Sequence, residues 1–591
     1  MLIELEAQIP ECEMGQDPSP SVIIVGAGAG GCATAARLSK CGWHVTVIEK
    51  NDFTGGRCSL IYKDGYRFDQ GPSLLLLPQI FHETFRDLGT TMEDEGIQLI
   101  KCDSNYKVHF HDNASFTLST DLARMKVEVE RYEGKGGFDR YLSFLKESHQ
   151  HYEQSVIHVL HKNFFNFWSM FRHRFLPHLL ALHVFESVYG RASKYFWTER
   201  LRRVFTFASM YMGMSPFDAP GTYSLLQYTE LAEGIWYPKG GFHQVVEALV
   251  KIGKREGVDF RLNTAVSKML LLDGQSRVDG VLLDNCEELR ADVVICNADL
   301  IYAYNNLLPS TSYALSLAKR ETSCSSISFY WGLDTQFHEL SAHNIFLAEY
   351  YKESFDSIFK AKLIPDEPSF YVNVPSRLDP NAAPTGADAV TVLVPVGHML
   401  DASNTHRGMS GGKGGSQSSQ DWGRMVSAAR DTVLKTLEAR LGISLGPHIV
   451  SETINTPPSW RERFNLDRGA ILGLSHSFFN VLSFRPKTQH PKIKNMYFVG
   501  ASTHPGTGVP IVLAGAKLVS EQVLRHWNKN VPWEASEDVP DNVSQLDKTQ
   551  WIPWLEWWNW LTALFLIVLA WTLSVAFAEW APSVVEWAGD W

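Results

Sequence analysis

Two segments of this chain, more than four hundred residues apart, share one pattern of apolar and small residues. The first, VIIVGAGAGGCATAARLSKCGWHVTVIEK at residues 22–50, has four apolar residues before a glycine run, then an alanine-rich segment, then an alternating run. These predict a buried parallel strand, a helix and a second strand. The second, MYFVGASTHPGTGVPIVLAGAK at residues 496–517, predicts another strand, glycine loop and helix.

Between these segments the pattern changes from helical to strand-like. Residues 145–260 carry apolar positions at helical spacing. Short strands are predicted at FRLNTAVSKMLLL, RVDGVLLD and ADVVICNAD, and around residues 325–333 and 389–396. The sheet segments recur late in the chain, which predicts an α/β fold with a discontinuous Rossmann-like domain and an inserted helical-plus-sheet domain.

This pattern divides the chain into two domains, each made of separate segments. The cofactor-binding domain is predicted in three parts and the substrate domain in two. In chain order the parts are 21–110 (cofactor), 111–235 (substrate), 236–305 (cofactor), 306–485 (substrate) and 486–528 (cofactor).

Four segments differ in composition from the two domains. They are predicted as a disordered leader, a flexible insert, a linker and a membrane helix, at residues 1–20, 401–420, 529–550 and 555–578. The run LTALFLIVLAWTLSVAFA has no charged residue, and 18 residues of helix reach about 27 Å, close to the thickness of a bilayer core. A helix lying in the membrane surface is the alternative.

Tryptophans and charges flank this apolar run. Interfacial positions are predicted for Trp551, Trp554, Trp557, Trp558, Trp560 and Trp580. Lys548 precedes the run, whereas only acids follow it. We therefore expect a membrane-associated protein with a C-terminal anchor and its catalytic body on the cytosolic side.

Composition narrows the function classes. Hydrophobic residues make up 45% of the 591 residues and charged residues 20%, as in a folded globular protein. A net charge of −11 argues against nucleic acid as the main partner. The eight cysteines form no CxxC pair, so neither a metal site nor a disulfide framework is predicted.

The first glycine run has the spacing of a dinucleotide-binding turn. Gly26 permits the tight turn, Gly28 lets the backbone approach a pyrophosphate, and Gly31 lets the helix pack on the strand. Glu49, at the end of the second strand, is placed to accept from ribose hydroxyls. Gly30 and Lys50, beside these positions, are also candidate cofactor-binding residues.

This turn alone does not distinguish NAD from FAD as the cofactor, but the residues after it favour FAD. Gly55, Gly56 and Arg57, in NDFTGGRCS, resemble the second flavin motif of glutathione-reductase-like and amine-oxidase-like flavoproteins. The backbone near Val266, in the strand TAVSKM, is expected to pass the adenine edge.

The late glycine loop is expected at the other end of the same cofactor. Gly506, Thr507 and Gly508, with Gly500 before them, would let the backbone approach a flavin ring. The helix that begins at Val509 would point its N-terminus at that ring, where its dipole stabilises a reduced, anionic flavin. The two turns are thus predicted to hold the two ends of one FAD.

The late motif, VIIVGAGAGGCATAARL and GGRCS resemble the bacterial and fungal type of phytoene desaturase, a carotenoid dehydrogenase of the FAD-dependent amine-oxidase-like superfamily. YRFDQGPSLLLLP, GIWYPKGGFHQVVEAL and ICNAD match the same pattern, and the resemblance covers about residues 22–525. It implies stepwise desaturation of phytoene through phytofluene, zeta-carotene and neurosporene to lycopene or 3,4-didehydrolycopene.

A forty-carbon hydrocarbon has no polar group to bind, so its site needs a long apolar tunnel that opens towards a lipid bilayer. Residues 158–205 mix aromatic and basic side chains, and either dock on an anionic membrane surface or form two core helices with solvated faces. The mixture comprises Phe164, Phe165, Phe167, Trp168, Phe171, Phe175, Phe196 and Trp197 with Lys162, Arg172, Arg174, Lys194, Arg200, Arg202 and Arg203.

The sequence does not identify the catalytic residues. His504 lies near the expected ring and is the first candidate for a proton acceptor, although a loop histidine satisfied by backbone is as compatible with the pattern; Asp218 and Glu230 are weaker candidates. A membrane quinone or oxygen would suit an anchored enzyme as electron acceptor, and NAD(P) and a homo-oligomer are left open.

Three alternative functions share this fold. A carotenoid isomerase uses reduced flavin without net oxidation, and a membrane-anchored amine-oxidase-like enzyme often binds its flavin to a late cysteine. The chain has no cysteine after Cys324. A prenyl-protein-binding chaperone would be expected to have a degraded flavin cradle, whereas both ends of the cradle are intact in this sequence.

Overall fold

The computed structural model describes residues 19–172, 175, 181–272, 274, 276–400 and 420–533. The predicted leader up to residue 18, the insert at 401–419, the linker from residue 534 and the apolar segment 555–578 lie outside the described residues. The predicted α/β class is confirmed.

Helices occur throughout the described chain and, apart from α8, are short between residues 188 and 318. The α-helices are α1 (Ala29–Lys40), α2 (Pro78–Asp87), α3 (Leu122–Glu133), α4 (Gly137–Ser155), α5 (Val188–Tyr195), α6 (Glu199–Val204), α7 (Leu225–Tyr228), α8 (His243–Arg255), α9 (Leu300–Tyr302), α10 (Ser312–Ala318), α11 (Tyr351–Asp356), α12 (Trp422–Leu441), α13 (Pro457–Phe464) and α14 (Val509–His526). Several are extended by 3₁₀ or π turns, among them Ser357–Ala361 after α11.

In the described part of the chain, the strands form two main sheets and three small ones. They are β1 (Ser21–Val25), β2 (His44–Ile48), β3 (Leu60–Lys63), β4 (Tyr66–Asp69), β5 (Leu99–Lys101), β6 (Tyr106–His109), β7 (Ser115–Leu118), β8 (Trp236–Pro238), β9 (Asp259–Arg261), β10 (Val266–Leu272), β11 (Arg277–Leu283), β12 (Glu288–Arg290), β13 (Val293–Cys296), β14 (Ser325–Leu333), β15 (His343–Phe346), β16 (Phe370–Asn373), β17 (Asp388–Val396), β18 (Ile449–Asn455) and β19 (Met496–Phe498).

The first main sheet is parallel and joins strands from three distant parts of the chain. Its order is β19-β13-β1-β2-β9. β1 is buried because α1 and α14 cover the sheet on one side, and the side chains of β13 and β19 enter a second core on the other. Both predicted glycine turns follow strands of this sheet, so they meet at its carboxyl edge.

The second main sheet is mixed and lies mostly in the segments predicted as the substrate domain. Its order is β18-β14-β17-β16-β15-β6-β7. One face packs on α12, whose buried residues Met425, Ala429, Val433 and Leu437 recur at helical spacing. β14 and β17 coincide with the strands predicted around residues 325–333 and 389–396. β6 pairs with β15, although β6 lies before residue 111, in the segment predicted for the cofactor domain. The domain boundaries stay a prediction.

Within the described residues, no helix is both long and apolar enough to cross a bilayer. The predicted membrane helix at 555–578 lies outside those ranges.

The start of β17 is fixed by a buried ion pair, which gives a test of the second sheet. Asp388 is fully buried, accepts from Arg377 Nη1 and Nη2 at 2.6 and 2.8 Å, and also accepts from the Ser376 hydroxyl and the Phe337 amide. We expect Asp388→Ala to lower the free energy of unfolding by about 3–5 kcal/mol, because it removes the carboxylate partner of the largely buried Arg377 guanidinium and the acceptor of the Ser376 and Phe337 hydrogen bonds. Chemical denaturation of the variant and the parent measures the difference.

The matched control is Asp259→Ala, which removes the exposed partner of Arg261. Exposed pairs contribute about 0–1 kcal/mol. Equal losses from the two variants would contradict the structural role assigned to Asp388.

Candidate functional site

One large cavity, about 820 Å³ in volume, joins the two glycine turns. Its wall includes residues of both turns and continues into a mainly apolar region formed by the second main sheet and neighbouring helical segments. Of the fifteen predicted cofactor-binding residues, the wall contains Gly26, Gly28, Gly30, Glu49, Lys50, Gly55, Gly56, Arg57, Val266, Gly500, Thr507, Gly508 and Val509. Gly31 and Gly506 pack behind it.

The first turn places bare backbone against the cavity. Gly26 has a φ of +101°, in the region that favours glycine. A Cβ at Gly31 would lie 2.2 Å from the Gly26 carbonyl oxygen, so α1 can pack this closely on the turn only with glycine there. The Gly55 amide donates to the Ala27 carbonyl at 2.7 Å, which brings the GGR segment alongside the first turn.

Asn297 fills the space that these glycines leave. A Cβ at Gly28 would lie 2.7 Å from Asn297 Oδ1, and one at Gly30 would lie 3.0 Å from Nδ2. Asn297 Nδ2 donates to the Val499 carbonyl at 2.8 Å, just before the second turn. One amide side chain therefore connects the two turns. Sequence reasoning did not single it out, although it lies in the ICNAD stretch after β13.

Glu49 is buried where β2 ends and faces the first turn. Its Oε2 accepts from the Ala27 amide at 2.8 Å, and its Oε1 accepts from the amide and the side chain of Asn51 at 3.0 and 2.8 Å. The carboxylate is thus held rigidly in the cavity wall, with lone pairs left for a ligand. The Lys50 ammonium is engaged elsewhere, since it donates to the Glu462 carbonyl and to Asn465 Oδ1.

Arg57 brings a buried positive charge to the site. Its guanidinium donates to the Ile471 carbonyl, and burial lowers its pKa, while nearby Asp299 acts in the opposite direction. Burial raises the pKa of Asp299 to about 6, and Asp467 adds to this shift. Val266, at the start of β10, also lines this part of the cavity.

The second turn is held by hydrogen bonds to its carbonyl groups. Arg485 is fully buried and donates to the carbonyls of Thr503 and Ala501 on the turn, and to those of Ser475 and Asn480 on the preceding segment. α14 begins at Val509, directly after Gly508, so its N-terminal amides face the cavity.

His476 packs under the same turn. A Cβ at Gly506 would lie 2.3 Å from His476 Nε2, which accepts from the Thr507 amide at 3.3 Å. Burial, reinforced by Arg485, lowers the pKa of His476 well below its usual value, so the imidazole is neutral. Neither His476 nor Arg485 was predicted, because their contacts with the turn depend on the tertiary fold.

The three candidate proton acceptors lie behind or outside the cavity wall. His504 Nε2 donates to the Lys162 carbonyl at 2.8 Å, and burial lowers its pKa to about 3, which matches a structural loop histidine. Glu230 is fully buried against Tyr106 and Gln227, and burial raises its pKa to about 8. Asp218 is exposed.

The predicted aromatic and basic mixture separates into core and surface. Phe164, Phe175 and Phe196 are buried, whereas Trp168 is 74% exposed. Arg200 pairs with Asp112, and Arg203 with Glu199, so these two cations do not form a continuous basic face.

An aromatic patch nevertheless lies on the surface and includes residues that were not predicted. Ring contacts of 5.1–6.0 Å connect its members, Phe167, Trp168, Phe171, Phe185, Phe478, Phe479 and Phe484. Val481 and Leu482, between Phe479 and Phe484 in sequence, line the cavity. The patch therefore borders the cavity where its wall includes these two half-buried residues, and we call this place the mouth of the cavity.

A cluster of possible metal ligands occurs apart from this cavity. Side-chain ligand atoms of Glu147, His151 and His183 lie within 4.8 Å of one another. Glu147, however, accepts from both Arg191 and Tyr195, so its oxygens are already occupied by donors. We assign it a structural role.

The cavity fits an extended cofactor with a pyrophosphate and a planar ring. The backbone of both turns is bare at positions where a Cβ would clash, a carboxylate is fixed where β2 ends, and two helix N-termini face the space between them. These are the groups that phosphates, ribose hydroxyls and an electron-rich ring require.

Known proteins resemble the chain in both sequence and fold. Residues 29–404 match the family described as flavin containing amine oxidoreductase. A phytoene desaturase from Fusarium fujikuroi is 60% identical, over 95% of this chain and 100% of the relative. One from Neurospora crassa is 59% identical, over 88% of this chain and 87% of the relative. A zeta-carotene-forming phytoene desaturase from Myxococcus xanthus is 40% identical, over 85% of this chain and 93% of the relative.

Among solved structures, putrescine oxidase bound to putrescine has a TM-score of 0.57 at 15% identity, covering 86% of this chain and 99% of that one. This likeness concerns the fold alone. The family match and the extent of the sequence identity show that the chain belongs to the flavin-containing amine oxidoreductase family and, within it, to the phytoene desaturases.

Proposed function

We propose that this protein is an FAD-dependent phytoene desaturase of carotenoid biosynthesis. The single cavity that joins both glycine turns to an apolar region is the observation that carries the proposal. Desaturation proceeds stepwise through phytofluene, zeta-carotene and neurosporene, with lycopene or 3,4-didehydrolycopene as the final product.

The apolar part of the cavity suits a hydrocarbon because binding there depends on shape and on burial of apolar surface. Its wall includes Leu393 and Pro395 of β17, Phe370 of β16 and Ile345 of β15. It also includes Leu182 and other residues of the helical segment near the mouth. A long chain that enters at the mouth would thus pass the second glycine turn.

Separate groups of residues would bind the cofactor and the substrate. Glu49 and the first turn would hold the adenosine and pyrophosphate, while Thr507, Gly508 and the start of α14 would hold the ring end. When bound, FAD supplies the two-electron chemistry by accepting hydride. The apolar wall excludes water and orients the hydrocarbon beside the second turn.

We further propose that the protein works at a lipid bilayer and faces the cytosol. The aromatic patch lies at the mouth of the cavity, and the apolar segment 555–578 would provide an anchor across or along the membrane. In this arrangement phytoene passes from the bilayer into the cavity without crossing water. A membrane quinone or oxygen would then reoxidise the flavin.

The proposed reaction is tested with the purified full-length protein, FAD and phytoene in liposomes. Product separation should show more conjugated, coloured carotenoids, and separate incubations with quinone, oxygen or NAD(P) should identify the acceptor. Phytoene that keeps all its hydrogens despite bound flavin would overturn the proposal. A change of double-bond geometry alone would favour an isomerase.

The cofactor site is tested with Gly28→Ala. The added methyl group would lie 2.7 Å from Asn297 Oδ1 and beside the expected pyrophosphate. We expect the Kd for FAD to rise at least about tenfold, equivalent to about 1.4 kcal/mol, in fluorescence titrations. Gly423→Ala is the matched control, because its Cβ would make only an ordinary 3.5 Å contact with Asp421; equal effects of both changes would contradict this site.

The membrane surface is tested by replacing Trp168 and Phe479, exposed by 74% and 71%, with serine together. Loss of their burial in lipid should lower the turnover of liposomal phytoene about tenfold or more, since burying one large apolar side chain contributes about 1.5–3 kcal/mol. FAD content should not change.

The control replaces Tyr62 and Val127, exposed by 72% and 68%, with serine in the same full-length chain. An equal loss of turnover in this control, or an equal loss for the patch variant with detergent-solubilised phytoene, would argue against docking through the patch.

A further inference from the structure

The apolar part of the cavity runs across the second main sheet in strand order. Its wall includes Ser328 on β14, Leu393 on β17, Tyr371 on β16 and Ile345 on β15, which pair in register across four consecutive strands of that sheet. Neighbouring strands lie about 4.8 Å apart, so this path is roughly 14 Å long. The apolar part of the cavity is therefore elongated along the sheet, from β14 towards β15.

The β14 end of this path lies beside the second glycine turn. Thr322, just before β14, pairs with Leu474 in a β-bridge, and the Leu474 amide donates to the Ser502 hydroxyl at 3.1 Å. Ser502 belongs to the turn that leads to Gly506 and Gly508. The reacting end of the path is thus at β14, and the far end is at β15.

At the far end, α11 forms the wall. Tyr351 and Phe355 line the cavity and are 1% and 2% exposed, and their rings lie 4.9 Å apart. Tyr350, Lys352 and Glu353, on the outer side, are exposed to solvent. One short helix therefore separates the end of the cavity from solvent.

The two aromatic side chains are held firmly. Phe217 packs against both, with ring centroids 6.1 and 6.3 Å away. The Tyr351 hydroxyl lies 3.5 Å from the Thr206 hydroxyl, and the Arg203 guanidinium lies 5.3 Å from the Tyr351 ring. The end of the cavity is consequently a fixed wall.

We propose that Tyr351 and Phe355 determine how many double bonds this protein introduces, by limiting how far the carotenoid chain can advance past the second glycine turn. The inference rests on the proposed function. It names specificity-determining residues and leaves the chemistry of each step unchanged.

The physical reason is that a linear hydrocarbon offers no polar group that could fix its position along the cavity. Its register is set only by steric contact with the end of the cavity. When the chain enters at the aromatic patch, bringing a later bond to the second turn pushes its leading end towards α11. The last accessible bond is the one for which that end meets the Tyr351 and Phe355 rings.

The test compares products of full-length variants incubated with phytoene in liposomes. Phe355→Ala lengthens the cavity and should shift the dominant product by at least one desaturation, a loss of two further hydrogens, seen as a longer-wavelength absorption and by mass. Phe355→Leu should give a smaller shift in the same direction. Leu347→Phe, which adds bulk in the wall just after β15, should shift the product towards fewer desaturations.

Phe359→Ala is the matched control. Phe359 stacks on Phe355 at 6.2 Å but is not one of the cavity-lining residues in the described part of the chain. Its product distribution should equal that of the parent. FAD content and thermal midpoints are measured for every variant, so that product shifts are compared only among folded, flavin-loaded proteins.

The outcomes separate this inference from the proposed function. If the parent leaves phytoene unchanged, the proposed function fails. If the parent desaturates phytoene and the folded Phe355 and Leu347 variants give its product distribution, the role of the α11 wall is overturned while the function stands. Opposite shifts in the lengthened and shortened cavities, with none in the control, would establish the wall as the determinant.

Discussion

The site depends on the close approach of two strand–turn–helix units around the side chain of Asn297. The first turn follows β1 and the second follows β19, and β13, which precedes Asn297, lies between these strands in the sheet. Gly28, Gly30 and Gly500 leave the space into which the Asn297 amide fits. A side chain at any of these glycines would compete with that amide, so the distance between the two turns is set by the glycines.

The local patterns were sufficient to predict both turns. A strand, a glycine run and a helix in immediate succession constrain the backbone within one segment, and this is why Gly26, Gly28 and Val509 could be placed from the sequence. Asn297, Arg485 and His476 could not be placed in the same way. Each acts on a turn that is remote in sequence or approached only in the folded structure, and no local pattern marks such a contact.

The aromatic surface could likewise be predicted only in part from the sequence. The mixed aromatic and basic residues in 158–205 were compatible with a membrane-facing region or with two core helices, and burial divides those residues between core and surface. Phe478, Phe479 and Phe484 complete the patch from a segment some three hundred residues later. The patch is therefore a property of the tertiary fold.

Arg485 connects the second glycine turn with the segment that borders the mouth of the cavity. On one side it donates to carbonyls of the turn expected to hold the flavin ring, and on the other to the Ser475 and Asn480 carbonyls. The segment from 475 to 484 carries three of the seven residues of the aromatic patch and the mouth residues Val481 and Leu482. Among the described residues Arg485 has no carboxylate partner, so its buried guanidinium depends on these four carbonyls and couples the position of the turn to that of the mouth. If a hydrocarbon enters at the mouth, its point of entry is held at a set distance from the second turn, and the proposed role of the wall at the far end of the cavity depends on that distance.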